Sequence, residues 1–119
     1  MTQSWLGHPK GSGLNNFLVE PGHAYLVSVT AAGTFELCGT WAEPTFALKA
    51  GYNLISLPKS RESITTAEQL ATSIPNCTVV WKWDCAAQAW VGHPKGGPND
   101  FSLTIGHAYL VSVTADSNW

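Results

Sequence analysis

The chain reads as an α+β domain, mostly antiparallel β with one short helix, in which part of the sequence is written twice. Three observations predict this. Apolar strand-like runs each follow a turn of the form Phe, any residue, Val or Leu, two residues, Gly; one capped stretch has helical spacing; and "GHAYLVSVTA" stands unchanged at residues 22–31 and 106–115. At 119 residues, with 45% hydrophobic and 12% charged, the chain is long enough to bury one core without staples and too apolar for disorder.

The repetition extends ahead of that decapeptide. "LGHPKG" at 6–11 returns as "VGHPKG" at 91–96, each directly after a tryptophan, Trp5 and Trp90, and Phe17 matches Phe101. Trp90 follows Trp5 by 85 positions and Gly106 follows Gly22 by 84, so one residue was gained or lost between "GSGLNN" and "GGPND". Cores accept most swaps of similar volume, so identity at all ten positions exceeds what packing requires and reads as a recent tandem duplication. Nothing ahead of Trp5 corresponds to residues 34–89. A single domain, 1–119, is therefore expected, with a partial repeat at 1–31 and a full repeat at 32–119.

Within the repeat, "FLVEPG", "FALKAG" and "FSLTIG" precede "HAYLVSV", "YNLISLP" and "HAYLVSV". Residues two apart project from one face of a strand, and the glycine suits a turn with positive φ, which predicts three similar hairpins. The helix is predicted over 64–74. Thr65 with Glu68 forms a capping-box pair, Ala67, Leu70, Ala71 and Ile74 recur at helical spacing, and Pro75 ends the pattern. "TVVWKWD" alternates, predicting a strand that buries Val79, Trp81 and Trp83 and turns Val80, Lys82 and Asp84 outward.

Together "GYNLISLP", a short helix, "VVWKWD" and "F.L..GHAYLVSV", over residues 46–114, resemble a repeat module of large secreted or surface-attached bacterial and archaeal proteins. That resemblance implies a β-rich, non-enzymatic accessory unit whose motifs are structural. Free-standing pieces of this kind also resemble products of mobile gene cassettes.

The formal charge is −2, and Lys10, Lys49, Lys59, Arg61, Lys82 and Lys95 are scattered, so no phosphate-neutralising patch for nucleic acid is present. No apolar run approaches the ~20 residues that span a bilayer, and "MTQSW" lacks the basic and apolar regions of a signal peptide. As encoded the chain is expected in the cytoplasm, or outside the cell if it belongs to a larger protein. Cys38, Cys77 and Cys85 have no CxxC spacing, and a strand between the last two would hold their sulfurs beyond bridging distance, so reduced thiols are expected.

Four histidines invite a metal reading. His8 and His23, like His93 and His107, are 15 and 14 residues apart with no acidic partner in sequence, so no metal site is expected. "HPKG" reads as a β-turn with solvated His and Lys. No GxSxG, phosphate loop or motif-placed carboxylate pair occurs, and neither catalysis nor a cofactor is expected. Trp5, His8, Trp90 and His93 remain the candidate binding residues, because an indole at the edge of a turn can stack on a sugar or grip a peptide side chain. Two function classes follow. The first is a non-catalytic assembly module, a homo-oligomer or partner of another protein, whose interface includes the strand face Tyr25, Val27 and Val29. The second is a carbohydrate-type ligand protein, or an enzyme, that uses a His and Trp cluster.

Overall fold

A computed structural model describes residues 3–20, 22–36 and 43–119. Its core is a four-stranded antiparallel sheet with one helix packed on one face, so the α+β expectation holds. In chain order the elements are β1 (Ala47–Leu48), β2 (Gly51–Ser56), a 3-10 turn (Lys59–Arg61), α1 (Ala67–Ser73), β3 (Cys77–Asp84), β4 (Ala89–Pro94), β5 (Ala108–Val113) and β6 (Ser117–Asn118). The sheet order is β2-β5-β3-β4, and β1 pairs with β6 in a separate two-stranded ribbon. No helix of the described residues is long and apolar enough to cross a membrane.

The helix forms because its ends are satisfied locally. Thr66 caps it: the Gln69 backbone N–H donates to Thr66 Oγ1 at 3.3 Å, and Thr66 N–H donates back to Gln69 Oε1 at 3.3 Å. The capping pair thus lies one residue later than Thr65 and Glu68, and the helix is shorter than 64–74, because Gln69 out-competes Glu68 for the box while Glu68 turns to other partners. Pro75 and the left-handed Asn76, φ 61°, stop it. Ala67, Leu70, Ala71 and Ile74, the predicted stripe, are buried against Ile55, Val80, Val111 and Val113 of the sheet.

Three sequence expectations are corrected. The Phe-to-Gly echoes do not open hairpins: β1 pairs with β6 instead of β2, Ser102 bridges Thr66, and β5 lies between β2 and β3. The single hairpin among the named strands is β3–β4, turned at residues 85–88. The glycines of the echoes nevertheless take positive φ, 83° at Gly22, 105° at Gly51 and 81° at Gly106, as a turn before each strand demands. Second, β3 buries the other side: Val80 is enclosed, whereas Val79, Trp81 and Trp83 are half-buried on the face away from the helix. The helix covers one face only, and the small hydrophobe fits its close approach better than an indole. Third, His93 is not solvated but buried, at 1% exposure.

Among the described residues every buried core side chain falls in the stretch from Phe46 to Trp119. Residues 3–20 and 22–36 sit outside that core, and Gln3, Gly22 and His23 meet the outer edge of β2. The Gln3 amide pairs with the Tyr52 backbone, donating to its carbonyl at 2.8 Å and accepting from its N–H at 2.7 Å; His23 forms an isolated bridge with Ile55; and Ser56 Oγ donates to the Gly22 carbonyl at 3.2 Å. This is how an otherwise open sheet edge is blunted. Cys77 is buried and Cys85 exposed, both free thiols at either end of β3, while Cys38 and Pro21 lie outside the described residues.

Candidate interaction site

The two sequence copies build the same local structure. In the turns, Ser12 N–H donates to the Pro9 carbonyl at 3.1 Å and Gly97 N–H to the Pro94 carbonyl at 2.8 Å; Gly11 and Gly96 have φ 77° and 72°. His8 Nδ1 lies 2.8 Å from the Leu14 carbonyl and His93 Nδ1 2.8 Å from that of Pro98. Asn15 and Asn99 are both left-handed, which confines the one-residue offset to the short span between the turn glycine and that asparagine. Further on, Phe17 stacks on Tyr25 at 5.8 Å and Phe101 on Tyr109 at 6.4 Å, and each tyrosine hydroxyl accepts from the backbone N–H five residues earlier, Glu20 at 2.9 Å and Thr104 at 2.8 Å.

What differs is the long-range setting, although both copies touch Ile55 of β2. The second decapeptide supplies β5, the inner strand between β2 and β3, with Tyr109, Val111 and Val113 buried. The first forms no strand beyond the His23 bridge, and there Val27 and Val29 are 68% and 71% exposed while Tyr25 is half-buried. The same separation holds for the turns. His93 Nε2 lies 2.7 Å from Glu68 Oε2 on α1, and the same oxygen accepts from Gly96 N–H at 2.7 Å. His8 is exposed, and among the described residues its ring is held by its own loop, at the Leu14 carbonyl. Burial alone works against a charged His93, but the Glu68 carboxylate, the Pro98 carbonyl and the Asp100 charge outweigh it and hold its pKa above the usual imidazole value. Glu68 is held below the usual carboxylate range, chiefly by the Gly96 N–H and then by His93. Sequence spacing hid this pair because its members are 25 residues apart on different elements.

A second surface lies on the sheet face away from the helix. The strand register places Tyr52, Leu54, Leu110, Trp81, Trp83 and Trp90 on that side, and every residue it places there is uncharged. Tyr52 packs tilted on Trp81 with centroids 5.5 Å apart, and Trp83 meets Trp90 edge-on at 5.3 Å. Gly92 makes room for the Trp81 indole: a Cβ there would stand 2.5 Å from its Nε1. Trp5, 63% exposed, joins this face from the N-terminal segment, where Gln3, Ser4 and Trp5 with Tyr52, Leu54 and Leu110 line a cavity of about 280 Å³.

The four candidate binding residues therefore do not converge. Trp5 lies over β2 and β5, Trp90 on β4 at the far side of the sheet, His93 under the helix face and His8 in its own loop. Among the described residues no group of three His, Cys, Asp or Glu side chains is placed to hold a metal ion. Neither the cavity lining nor the Trp83–Trp90 pair includes a histidine. Comparisons with protein-family models, curated proteins and solved structures found no match to this chain.

Proposed function

We propose that this chain is a non-catalytic assembly module, joined to a further polypeptide through its N-terminal half-module, with another copy of itself as the first partner. One observation carries the reading: the same ten residues supply an inner strand, 108–113, that buries Tyr109, Val111 and Val113, and at 22–31 a segment outside any named strand that leaves Leu26, Val27 and Val29 exposed. An apolar strand sequence left in solvent forfeits about 25 cal/mol for each Å² of apolar area it is able to bury, so covering it on another chain is favourable. The uncharged aromatic sheet face adds surface suited to the centre of an interface. Such a role agrees with the accessory repeat modules that the sequence resembles.

Light scattering at micromolar concentration tests this. The full chain is expected to show at least twice the mass of one copy, and Val27→Asp with Val29→Asp to shift it toward the monomer. A monomer at every accessible concentration would overturn the reading. A second reading is favoured by the cavity beside Trp5, where a sugar ring has the Trp5 and Tyr52 rings to stack on. A saturable change in tryptophan fluorescence with oligosaccharide, abolished by Trp5→Ala, would select it.

A further inference from the structure

We propose that residues 22–31 are a spare closing strand whose site is the slot between β2 and β3 of a like module that lacks its own β5. The inference rests on the assembly reading and adds to self-association through the exposed faces a second kind of partner, one that takes this strand into its own sheet. It begins from identity. Residues 22–31 and 106–115 do not differ at any position, so the contacts that hold β5 in its slot are available to the first copy in full. In that slot Tyr25 would stand opposite Ile55, Val27 between Asn53 and Val80, and Leu26 between Leu54 and Trp81, as Tyr109, Val111 and Leu110 do.

The segment is also prepared for entry. The turn glycine, the Phe–Tyr stack and the tyrosine hydroxyl bond that precede and brace β5 are all formed ahead of 24–29. Ordering cost at the mouth of the strand is thereby met before any partner arrives.

Counting strands then decides the kind of partner. These 119 residues hold two copies of the strand and one slot, and the slot is filled by their own β5. Exchange between identical chains frees one strand for each it inserts, so it yields no net contact. A slot with no resident strand gains two complete ladders at once, because β5 pairs with β2 on one side and β3 on the other. The fitting partner is therefore a polypeptide bearing the front of this module, the "GYNLISLP" strand, the capped helix and the "VVWKWD" strand, without a "HAYLVSV" strand behind them.

The test uses full-length chains. Val111 is fully buried at the slot centre, so V111D evicts the resident strand; V27D spoils the spare. The double variant V27D/V111D is an acceptor with a vacant slot, the wild type a donor with a free strand, and V27D a chain without one. Co-refolding followed by size-exclusion chromatography with light scattering is expected to give a 1:1 complex of V27D/V111D with wild type and none with V27D. A parallel measurement covers the case in which the acceptor does not fold alone. V111D by itself keeps a cooperative melt, because its intact residues 22–31 refill the slot, whereas V27D/V111D loses it. Equal capture of wild type and V27D, no capture of either, or a V111D melt no better than that of the double variant would overturn the proposal. Self-association of the wild type is measured separately, so failure of the assembly reading is told apart from failure of this one.

Discussion

His93 and Glu68 are joined across the fold, Nε2 to Oε2 at 2.7 Å, and this pair ties the first turn of α1 to the end of β4. Both neighbours of the imidazole are acceptors, the Glu68 carboxylate and the Pro98 carbonyl, so both ring nitrogens donate and the ring is an imidazolium when Glu68 is ionised. The same turn in the N-terminal copy has the carbonyl but not the carboxylate. Identical sequence thus meets different surroundings, and the two histidines part company energetically.

Their alanine variants are expected to separate accordingly. His93→Ala removes a fully buried side chain and two hydrogen bonds, and its cost is set at about 2–3 kcal/mol by comparison with other core truncations. His8→Ala, an exposed change, is expected to cost less than about 0.5 kcal/mol. Denaturant titration of the two variants checks this, and equal midpoints would contradict it.

The pair also sets a pH dependence. His93 is held above its ordinary value of about 6.5, so its contribution is complete below that pH and fades as pH rises through the elevated value. Glu68 is held below its ordinary value of about 4.3, so its contribution is complete above that pH and fades as pH falls through the lowered one. The stability difference between wild type and Glu68→Gln is therefore expected to be largest between about pH 4.3 and 6.5 and to shrink on both sides. Melting curves for both proteins across pH 3 to 9 give the profile, and a difference that grows toward pH 9 would show that the neutral form dominates.

Local signals carried most of what the sequence made legible. The helix stripe Ala67, Leu70, Ala71 and Ile74, the positive φ at Gly22, Gly51 and Gly106, and the Pro75 stop are all short-range, and all are present. Strand pairing was less accessible, because the hydrogen bonds of β1 and β5 go to partners far along the chain, and adjacency in sequence suggested hairpins instead. The buried face of β3 is not legible for a related reason: alternation shows that a strand has two sides but not which side the helix covers, and large indoles outweigh Val80 in any reading by residue size. Of the candidate site, Val27 and Val29 are exposed where an interface was expected, whereas His93 is occupied in holding the fold together.

Gly92 is the point where the aromatic face depends on a missing side chain. A Cβ at 2.5 Å from Trp81 Nε1 and 2.7 Å from its Cδ1 leaves the indole no room, so Gly92→Ala displaces it and disturbs its contact with Tyr52. The expected cost is about 1–3 kcal/mol, typical of overpacking, with a red-shifted tryptophan emission as Trp81 becomes wetter. An unchanged emission maximum would mean that the ring has another place to lie on β4.

Asn53 offers a test of the turn between β1 and β2. Its side chain clamps the Lys49 backbone at two points, Oδ1 accepting from the N–H at 2.9 Å and Nδ2 donating to the carbonyl at 2.8 Å. Asn53→Asp keeps the shape and the acceptor but sets an ionised oxygen against the Lys49 carbonyl, losing the donor. That substitution is expected to destabilise by about 1–2 kcal/mol at neutral pH. The introduced carboxylate has its pKa raised by the facing carbonyl, so the deficit exists above that value and diminishes as pH falls through it, when the protonated acid donates in place of the amide. Comparing the melting temperatures of wild type and variant at pH 7 and pH 4 checks the sign: the gap narrows at the lower pH if the clamp depends on the donor, and stays constant if the amide acts only by filling space.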